Sequence, residues 1–213
     1  MPRAIIKTIA EQLEIPHLVH FTRIDNLESI LKNGICPVNS FGDIDTDSHP
    51  VINDKLRLDG HSDSISASIA FPNSQMFYKY LKNNEDTSWT ILILYPSILW
   101  DKECAFCKHN AADGKISCQP LNTLKTPQAF VELFSEIDGH QTRAEQCLKK
   151  YDPTDVQAEI LVFEVIEPEY IGSIIFDSTT AQTAFAEIVG GRKTYVHAKN
   201  KGLFASRSYA RKY

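Results

Sequence analysis

The alternation of apolar and polar residues along the chain predicts short strands and helices in an irregular order. Strands are predicted where short apolar or β-branched runs occur, at residues 17–22, 64–71, 89–95, 157–165 and 170–176. Helices are predicted where apolar residues recur at helical spacing, at residues 1–16, 24–34, 74–83, 127–137, 143–151 and 179–189. Because the strands cluster between helices instead of alternating with them regularly, the order favours an α+β domain.

Two irregular segments, residues 36–60 and 102–125, are candidates for functional loops. The first is rich in Asp, Asn, Ser, Pro and Gly, and the second contains three of the five cysteines. Loops of this length inside a compact domain usually serve binding or catalysis.

Length and composition predict a single domain over residues 1–213. With 43% apolar and 23% charged residues, the chain is neither disordered nor collagen-like, and it is long enough to bury a sizeable core. No apolar run in the sequence reaches the roughly 18 residues that a membrane-spanning helix needs. The odd number of cysteines argues against a disulfide scaffold. We therefore expect a cytoplasmic protein with reduced thiols and no membrane partner.

The charge is distributed unevenly along the chain. Residues 192–213 carry seven cations and no carboxylate, whereas residues 1–191 carry 15 cations and 27 carboxylates, a formal charge of −12. Aromatic residues are interleaved with the C-terminal cations, at Tyr195, Phe204, Tyr209 and Tyr213. Cations combined with aromatic rings are typical of surfaces that bind single-stranded nucleic acid. A terminal strand whose lysines and arginines are simply solvated explains the pattern equally well.

Three predicted strands contain polar residues that could build a catalytic site. These residues are His20 and Thr22, Ser66 and Ser68, and Gln157 and Glu159. Side chains two positions apart on a strand share a face. Glu159 opens a strongly apolar strand, where a carboxylate is costly unless it faces a cleft or a partner. A solvent-exposed edge residue is the simpler explanation of a single Glu at a strand start.

Two longer motifs make the sequence resemble a known family. The segments HFTRIDNLESILKNGI (20–35) and PTDVQAEILV (153–162), the latter followed by IEPEYIGSI, are similar to those of the DarT family, and the resemblance covers residues 16–176. Members of this family are DNA ADP-ribosyltransferases that act as toxins in toxin–antitoxin systems. The resemblance implies the ADP-ribosyltransferase fold, with two facing β-sheets, peripheral helices and a central cleft for NAD. It also implies single-stranded DNA as substrate, NAD as co-substrate, no metal, and an antitoxin that hydrolyses ADP-ribose from DNA.

The resemblance further implies roles for individual residues. Glu159 and Arg57 would be catalytic, and Gln157 would hydrogen-bond the acceptor base. The residues that would bind NAD are His20, Thr22, Asn26, Ser66, Ser68 and Tyr78, the last through a ring stacked on the nicotinamide. The basic C-terminal segment and residues 102–155 would form the DNA groove. The expected DNA contacts are Lys199, Lys201, Arg207 and Arg211.

The sequence departs from typical thymine-modifying members on the side expected to face DNA. Those members have an arginine within the segment that reads PNSQM here (72–76), and arginines where this chain has Thr154 and Asp155. A divergent branch of the family targets guanine. The departures therefore favour guanine over thymine as the modified base.

Two other functions are compatible with the residues alone. Cys104 and Cys107, with His109 and Cys118 nearby, have the spacing of one zinc-ligand pair. A zinc site would favour a non-enzymatic nucleic-acid-binding module. Alternatively, the NAD cleft could serve transfer to a protein or to RNA, because a basic segment does not distinguish DNA from RNA.

Overall fold

The computed structural model of the protein describes residues 2–43, 59–84 and 86–213. The strands are β1 (Leu18–Arg23), β2 (Ile65–Ile69), β3 (Trp89–Leu94), β4 (Cys104–Cys107), β5 (Glu159–Val162), β6 (Ile171–Phe176) and β7 (Lys193–Val196). The helices are α1 (Pro2–Gln12), α2 (Leu27–Asn33), α3 (Ser74–Asn83), α4 (Ile98–Asp101), α5 (Gly114–Ser117), α6 (Leu121–Leu124), α7 (Pro127–Glu132), α8 (Thr179–Ala184), α9 (Ala186–Val189) and α10 (Arg207–Lys212). Short 3-10 helices occur at Ile24–Asn26, Val38–Asp43, Pro168–Tyr170 and Gly202–Phe204. None of the helices in these ranges is long and apolar enough to span a membrane.

The strands form one seven-stranded sheet in the order β4-β5-β2-β1-β3-β6-β7. Neighbouring strands are antiparallel except β6 and β7, which are parallel. β1 and β3 pair along six residues, whereas β1 and β2 pair only at Leu18–Ile69 and Val19–Ser68. Beyond these two pairs the backbones of β1 and β2 part. The sheet is thereby divided into a half formed by β4, β5 and β2 and a half formed by β1, β3, β6 and β7.

The predicted α+β class is confirmed, but the expected arrangement of two facing sheets needs a correction. The two halves remain one sheet because the short β1–β2 ladder still joins them. The place where that ladder stops, between residues 20–23 of β1 and residues 65–67 of β2, is the feature that organises the candidate site.

Apolar side chains cover both faces of the sheet. On one face, Leu18 and Leu92 pack into a core that includes residues of α1, α2 and α7. On the other face, Val19 and Ile91 pack against Phe77 of α3. Consecutive residues of β1 and β3 thus enter opposite cores, as the two-residue period of a strand requires.

Aromatic packing docks helix α3 onto β1. The ring of Phe77 stacks on that of Phe21 with 4.4 Å between centroids. The side chain of Asn73 caps the helix by accepting a hydrogen bond from the backbone N–H of Met76 at 3.1 Å. Because Phe77 is buried, the following residue Tyr78 faces outward and is 59% exposed.

Residues 102–125 are more regular than the sequence pattern predicts. Within them the sequence CAFC forms the edge strand β4, which pairs antiparallel with β5 so that Cys107 lies opposite Glu159. Two single-turn helices, α5 and α6, follow this strand. A four-residue strand has no recognisable period of its own, so its pairing partner decides its conformation.

The helix predicted at residues 143–151 is wrong. The segment forms a series of turns, in which Cys147 has a left-handed φ of 56°. The guanidinium of Arg143 folds over these turns and donates hydrogen bonds to the carbonyl oxygens of Lys149 at 2.9 Å and Asp152 at 2.7 Å. These bonds stabilise a compact loop in place of a helix.

Candidate active site at the split in the sheet

A histidine side chain bridges the gap where β1 and β2 separate. His20 lies one residue beyond the last β1–β2 pair, and its Nδ1 is 2.9 Å from the backbone oxygen of Ser66 on β2. Because a carbonyl oxygen only accepts hydrogen bonds, Nδ1 must carry the proton. The imidazole thus links the two halves of the sheet at the point where the backbone ladder ends.

The environment of His20 keeps its ring neutral. Burial lowers the pKa of His20 below its ordinary value, and the hydrogen bond to Ser66 offsets only part of that effect. With the proton on Nδ1, the neutral ring has a lone pair on Nε2 that can accept a hydrogen bond from a hydroxyl group.

Thr22 and Asn26 lie together at the other end of β1. Thr22 is buried, and its hydroxyl oxygen accepts a hydrogen bond from Nδ2 of Asn26 at 2.9 Å. This bond ties β1 to the 3-10 helix that follows it. Since His20 and Thr22 are two residues apart, they share one side of β1.

Glu159 is a buried carboxylate at the first residue of β5. Only 5% of its surface is exposed, and β5 lies between β4 and β2, so an exposed edge position is excluded. The register pairs Ser66 with Leu161, which places Ser66, Ser68 and Glu159 on one face of the sheet. The hydroxyl of Ser66 donates a hydrogen bond to Oε2 of Glu159 at 3.0 Å.

A second donor to Glu159, Asn110, was not predicted from the sequence. Its side-chain Nδ2 is 2.6 Å from Oε1 of Glu159. Asn110 lies in the loop after β4, and it reaches Glu159 because Cys107 at the end of β4 is paired with Glu159. Recognising residues 104–107 as a strand would have placed Asn110 near β5. The sequence pattern predicts irregular chain there instead, so this signal is missing.

The turn before Glu159 is held by Asp155. One oxygen of its carboxylate accepts a hydrogen bond from the backbone N–H of Gln157 at 2.8 Å, and the other lies 2.7 Å from Nδ1 of His109. Gln157 is half-buried in this turn and precedes β5, so its predicted position within the strand is wrong. Gln157 therefore does not share a pleat with Glu159.

Two predicted DNA contacts, Arg207 and Arg211, belong instead to a structural cluster. Arg207 is 5% exposed and donates to the backbone oxygens of Pro153 at 2.6 Å and Thr154 at 3.0 Å. Arg211 donates to both carboxylate oxygens of the fully buried Asp152, at 2.6 and 2.7 Å. We call these contacts the arginine latch. The guanidinium of Arg207 is therefore buried away from any DNA phosphate, and that of Arg211 is held by Asp152.

The charges of the arginine latch are compensated internally. Burial lowers the pKa of Arg207 to about 10, against the opposing effect of Asp152 and Asp155, so the guanidinium stays protonated at neutral pH. The hydrogen bonds to Asp152 raise the pKa of Arg211. The latch therefore fixes the chain that leads to Gln157 and Glu159 through ionic hydrogen bonds that water reaches poorly.

The other predicted DNA contacts, Lys199 and Lys201, are exposed. Nζ of Lys201 lies 5.9 Å from the ring centroid of Tyr209, which in turn is 5.3 Å from that of Tyr213. Both tyrosines are exposed. The basic segment thus contains a buried part, the arginine latch, and an exposed part with cations beside aromatic rings.

The start of α10 lies next to the start of α3. The backbone N–H of Arg207, at the start of α10, is 3.4 Å from the hydroxyl oxygen of Ser74, at the start of α3. The outward-facing Tyr78 belongs to the same helix as Ser74.

The predicted catalytic Arg57 lies outside the described residues.

The geometry of the cysteines does not suit a zinc site. Cys104 and Cys107 lie three residues apart on β4 and enter different cores. Burial raises the pKa of both thiols to about 12, whereas a zinc ligand must be a thiolate. In the ranges that the structure describes, no three potential metal ligands lie close together.

Comparison with known proteins connects this geometry to a family. The family model described as "ssDNA thymidine ADP-ribosyltransferase, DarT" matches residues 19–204. The chain belongs to the DarT family. Among curated proteins, none matches its sequence.

Solved structures share the fold of this DarT-family chain. Thermosipho africanus DarTG in complex with ADP-ribose matches with a TM-score of 0.58 and 18% identity, over 88% of this chain and 50% of that one. This chain therefore spans about half the length of that protein. Thermus sp. 2.9 DarT in complex with NAD+ matches with a TM-score of 0.54 and 15% identity, over 86% of this chain and 96% of that one. The same protein with ADP-ribosylated ssDNA has a TM-score of 0.55 and 14% identity, over 86% and 95% of the two chains.

The arginine latch predicts a loss of stability in the Arg207→Met variant of this DarT-family chain. Methionine fills much of the volume but leaves the carbonyl oxygens of Pro153 and Thr154 without their donor. At about 1–2 kcal/mol for each lost bond, we expect the free energy of unfolding to fall by about 2–4 kcal/mol. Urea denaturation measures it, with the exposed Lys212→Met change in the same helix as control. An Arg207→Met midpoint equal to that of the wild type would refute the latch.

Because His20 is buried, we expect the folded protein to lose stability in acid. Its pKa is lower in the folded state than the ordinary 6.5, so below about pH 6.5 the unfolded chain binds a proton that the folded chain excludes. We expect the free energy of unfolding to fall with decreasing pH, by up to about 1.4 kcal/mol per pH unit from this residue. The His20→Asn variant, which keeps a donor toward Ser66, should show a shallower slope. The exposed His140→Asn variant is the control, and equal slopes in both variants would contradict the assignment.

Proposed function

We propose that this chain transfers ADP-ribose from NAD to a base of single-stranded DNA and releases nicotinamide. The observation that carries the proposal is Glu159, a buried carboxylate that two neutral donors hold at the split in the sheet. Membership of the DarT family supports the same activity. Thermus sp. 2.9 DarT, whose fold this chain shares, has been solved with NAD+ and with ADP-ribosylated ssDNA.

Glu159 is suited to cleavage of the nicotinamide–ribose bond. As that bond breaks, positive charge develops on the ribose, as it does on the sugar in glycoside hydrolysis. A carboxylate that accepts a hydrogen bond from the 2′-hydroxyl of this ribose stabilises the charge. A carboxylate can accept about four hydrogen bonds, so those from Ser66 and Asn110 are compatible with this role.

His20 supplies an acceptor on the other side of the split. Its neutral ring, with the proton on Nδ1, leaves Nε2 to accept a hydrogen bond from a ribose hydroxyl of NAD. Thr22, Asn26, Ser68 and Tyr78 complete the proposed NAD site, with Tyr78 stacked on the nicotinamide. Arg57 is the proposed second catalytic residue.

The acceptor is a nitrogen of a DNA base, which attacks C1 of the ribose as nicotinamide leaves. That nitrogen is hidden inside a duplex, so the substrate is single-stranded or has a flipped base. Gln157, in the turn before Glu159, is the residue proposed to hydrogen-bond this base. The exposed cations Lys199 and Lys201 and the nearby ring of Tyr209 form the proposed surface for the strand.

We further propose guanine as the modified base, although the matching family model is described by thymidine. The support is the change from arginine to Thr154 and Asp155 before the catalytic turn. The chain is further proposed to act in the cytoplasm as the toxin of a toxin–antitoxin pair. Its antitoxin would be a hydrolase that removes ADP-ribose from DNA.

Labelled NAD tests the activity and the role of Glu159 together. We expect label in single-stranded DNA, little in duplex DNA, and at least about a 100-fold lower rate for Glu159→Gln, because the amide cannot compensate the ribose cation. The exposed Glu169→Gln change is the matched control. Undiminished labelling by Glu159→Gln would refute the assignment.

The same assay identifies the base when the oligonucleotides differ at one position. Guanine as the target predicts that label is lost when guanine is replaced and retained when thymine is replaced. The reverse result would contradict guanine and leave the transfer reaction standing.

If Lys199 and Lys201 bind the DNA strand, replacing them should weaken DNA binding and leave NAD binding unchanged. Replacing both with Ser removes two cations from the proposed strand surface, so the affinity for a single-stranded oligonucleotide should fall several-fold and depend less steeply on salt. Fluorescence anisotropy measures the DNA affinity, and calorimetry measures NAD binding. Exposed lysines on α1 and α2, changed as Lys7→Ser with Lys32→Ser, are the control. Equal DNA affinity in the two double variants would rule out this surface.

A further inference from the structure

Asn110 has a defined side-chain orientation toward Glu159. Its Nδ2 lies 2.6 Å from Oε1 of Glu159, and its Oδ1 accepts a hydrogen bond from the backbone N–H of Ala112 at 3.0 Å. A carboxylate accepts and a backbone N–H donates, so only one assignment of the amide oxygen and nitrogen satisfies both partners. Asn110 therefore presents its NH2 group to the carboxylate.

The loop that carries Asn110 is anchored on both sides. The preceding residue, His109, contacts Asp155, and the following residue, Ala111, is buried in a small core with Ile116 and Leu161. The donor is thus held by its neighbours in the chain and does not depend on the hydrogen bond that it makes. Such support is what a preorganised site requires.

Asn110 and Ser66 hold different oxygens of the same carboxylate. Ser66 belongs to β2 and Asn110 to the loop after β4, so the carboxylate is held from both neighbouring strands. Two donors on separate oxygens determine the plane of the group. Both of these donors are neutral, so neither of them cancels the negative charge of the carboxylate.

We propose that Asn110 is a positioning residue for the reaction, which orients the Glu159 carboxylate toward the ribose cation. This inference rests on the proposed ADP-ribosyl transfer. Asn110 acts through Glu159, so its loss should lower kcat and leave the KM for NAD nearly unchanged. Removing a hydrogen bond to the charged form favours protonation, so the acid limb of the kcat profile should move to higher pH.

Two variants separate positioning from a structural role. Asn110→Ala removes both hydrogen bonds, whereas Asn110→Asp keeps the acceptor for the N–H of Ala112 and replaces the donor with a like charge. We expect each to lower kcat by about 10- to 100-fold, the usual effect of losing a group that orients a functional side chain. The exposed Asn122→Asp change on α6 adds the same charge without facing Glu159 and serves as control.

The measurement is nicotinamide release from NAD in the presence of single-stranded DNA, as a function of NAD concentration and pH, with circular dichroism to verify folding. If the wild type turns over NAD and the Asn110→Asp variant has the same kcat, the positioning role is overturned. The proposed function would remain intact. A larger KM with unchanged kcat would also overturn the positioning role, because it would assign Asn110 to NAD binding. An inactive wild type would overturn the proposed function, and this inference with it.

Discussion

The site depends on the stabilisation of one buried carboxylate. An ionised Glu159 away from water is costly unless hydrogen bonds replace its hydration. Ser66, on the flanking strand β2, and Asn110, in the loop after the flanking strand β4, provide such bonds. The pairing of β4, β5 and β2 is therefore as necessary to the site as the carboxylate itself. If β2 shifted by one residue relative to β5, the side chain of Ser66 would face the opposite side of the sheet.

The split between β1 and β2 adjoins Ser66, one of the two donors to this carboxylate. The two strands pair at only two positions and then diverge, and the ring of His20 bridges the opening to the oxygen of Ser66. Ser66 thus takes part in two functions. Its backbone binds the neutral histidine on one half of the sheet, and its hydroxyl binds the acid on the other half.

The basic C-terminal segment connects the site to the rest of the fold. Arg207 and Arg211 reach back more than 50 residues along the chain to hold residues 152–154, just before the turn that leads to Glu159. The segment is therefore both a structural brace and, through Lys199 and Lys201, a candidate surface for DNA. A substitution in its buried part would alter activity through the position of Glu159 without any contact to DNA.

The sequence predicts the central strands and the position of Glu159 well, because runs such as 89–94 are almost continuously apolar and the two family motifs are long. It cannot predict Asn110, whose contact with Glu159 exists only through the pairing of the four-residue strand β4. Charge alone likewise cannot show that Arg207 is buried and Lys201 is exposed, because the partners of Arg207 are carbonyl groups distant in sequence. The sequence pattern also misses the compact turns at 143–151, because hydrogen bonds from the Arg143 guanidinium to the nearby carbonyl oxygens of Lys149 and Asp152 override the helical spacing.

The most direct test of this account is a crystal structure of the protein with bound NAD. The account predicts that the dinucleotide enters the split between β1 and β2. The 2′-hydroxyl of the nicotinamide ribose should lie within about 3.2 Å of a Glu159 oxygen, and Ser66 should remain bound to the same carboxylate. NAD bound elsewhere, with no ribose hydroxyl near Glu159, would contradict it.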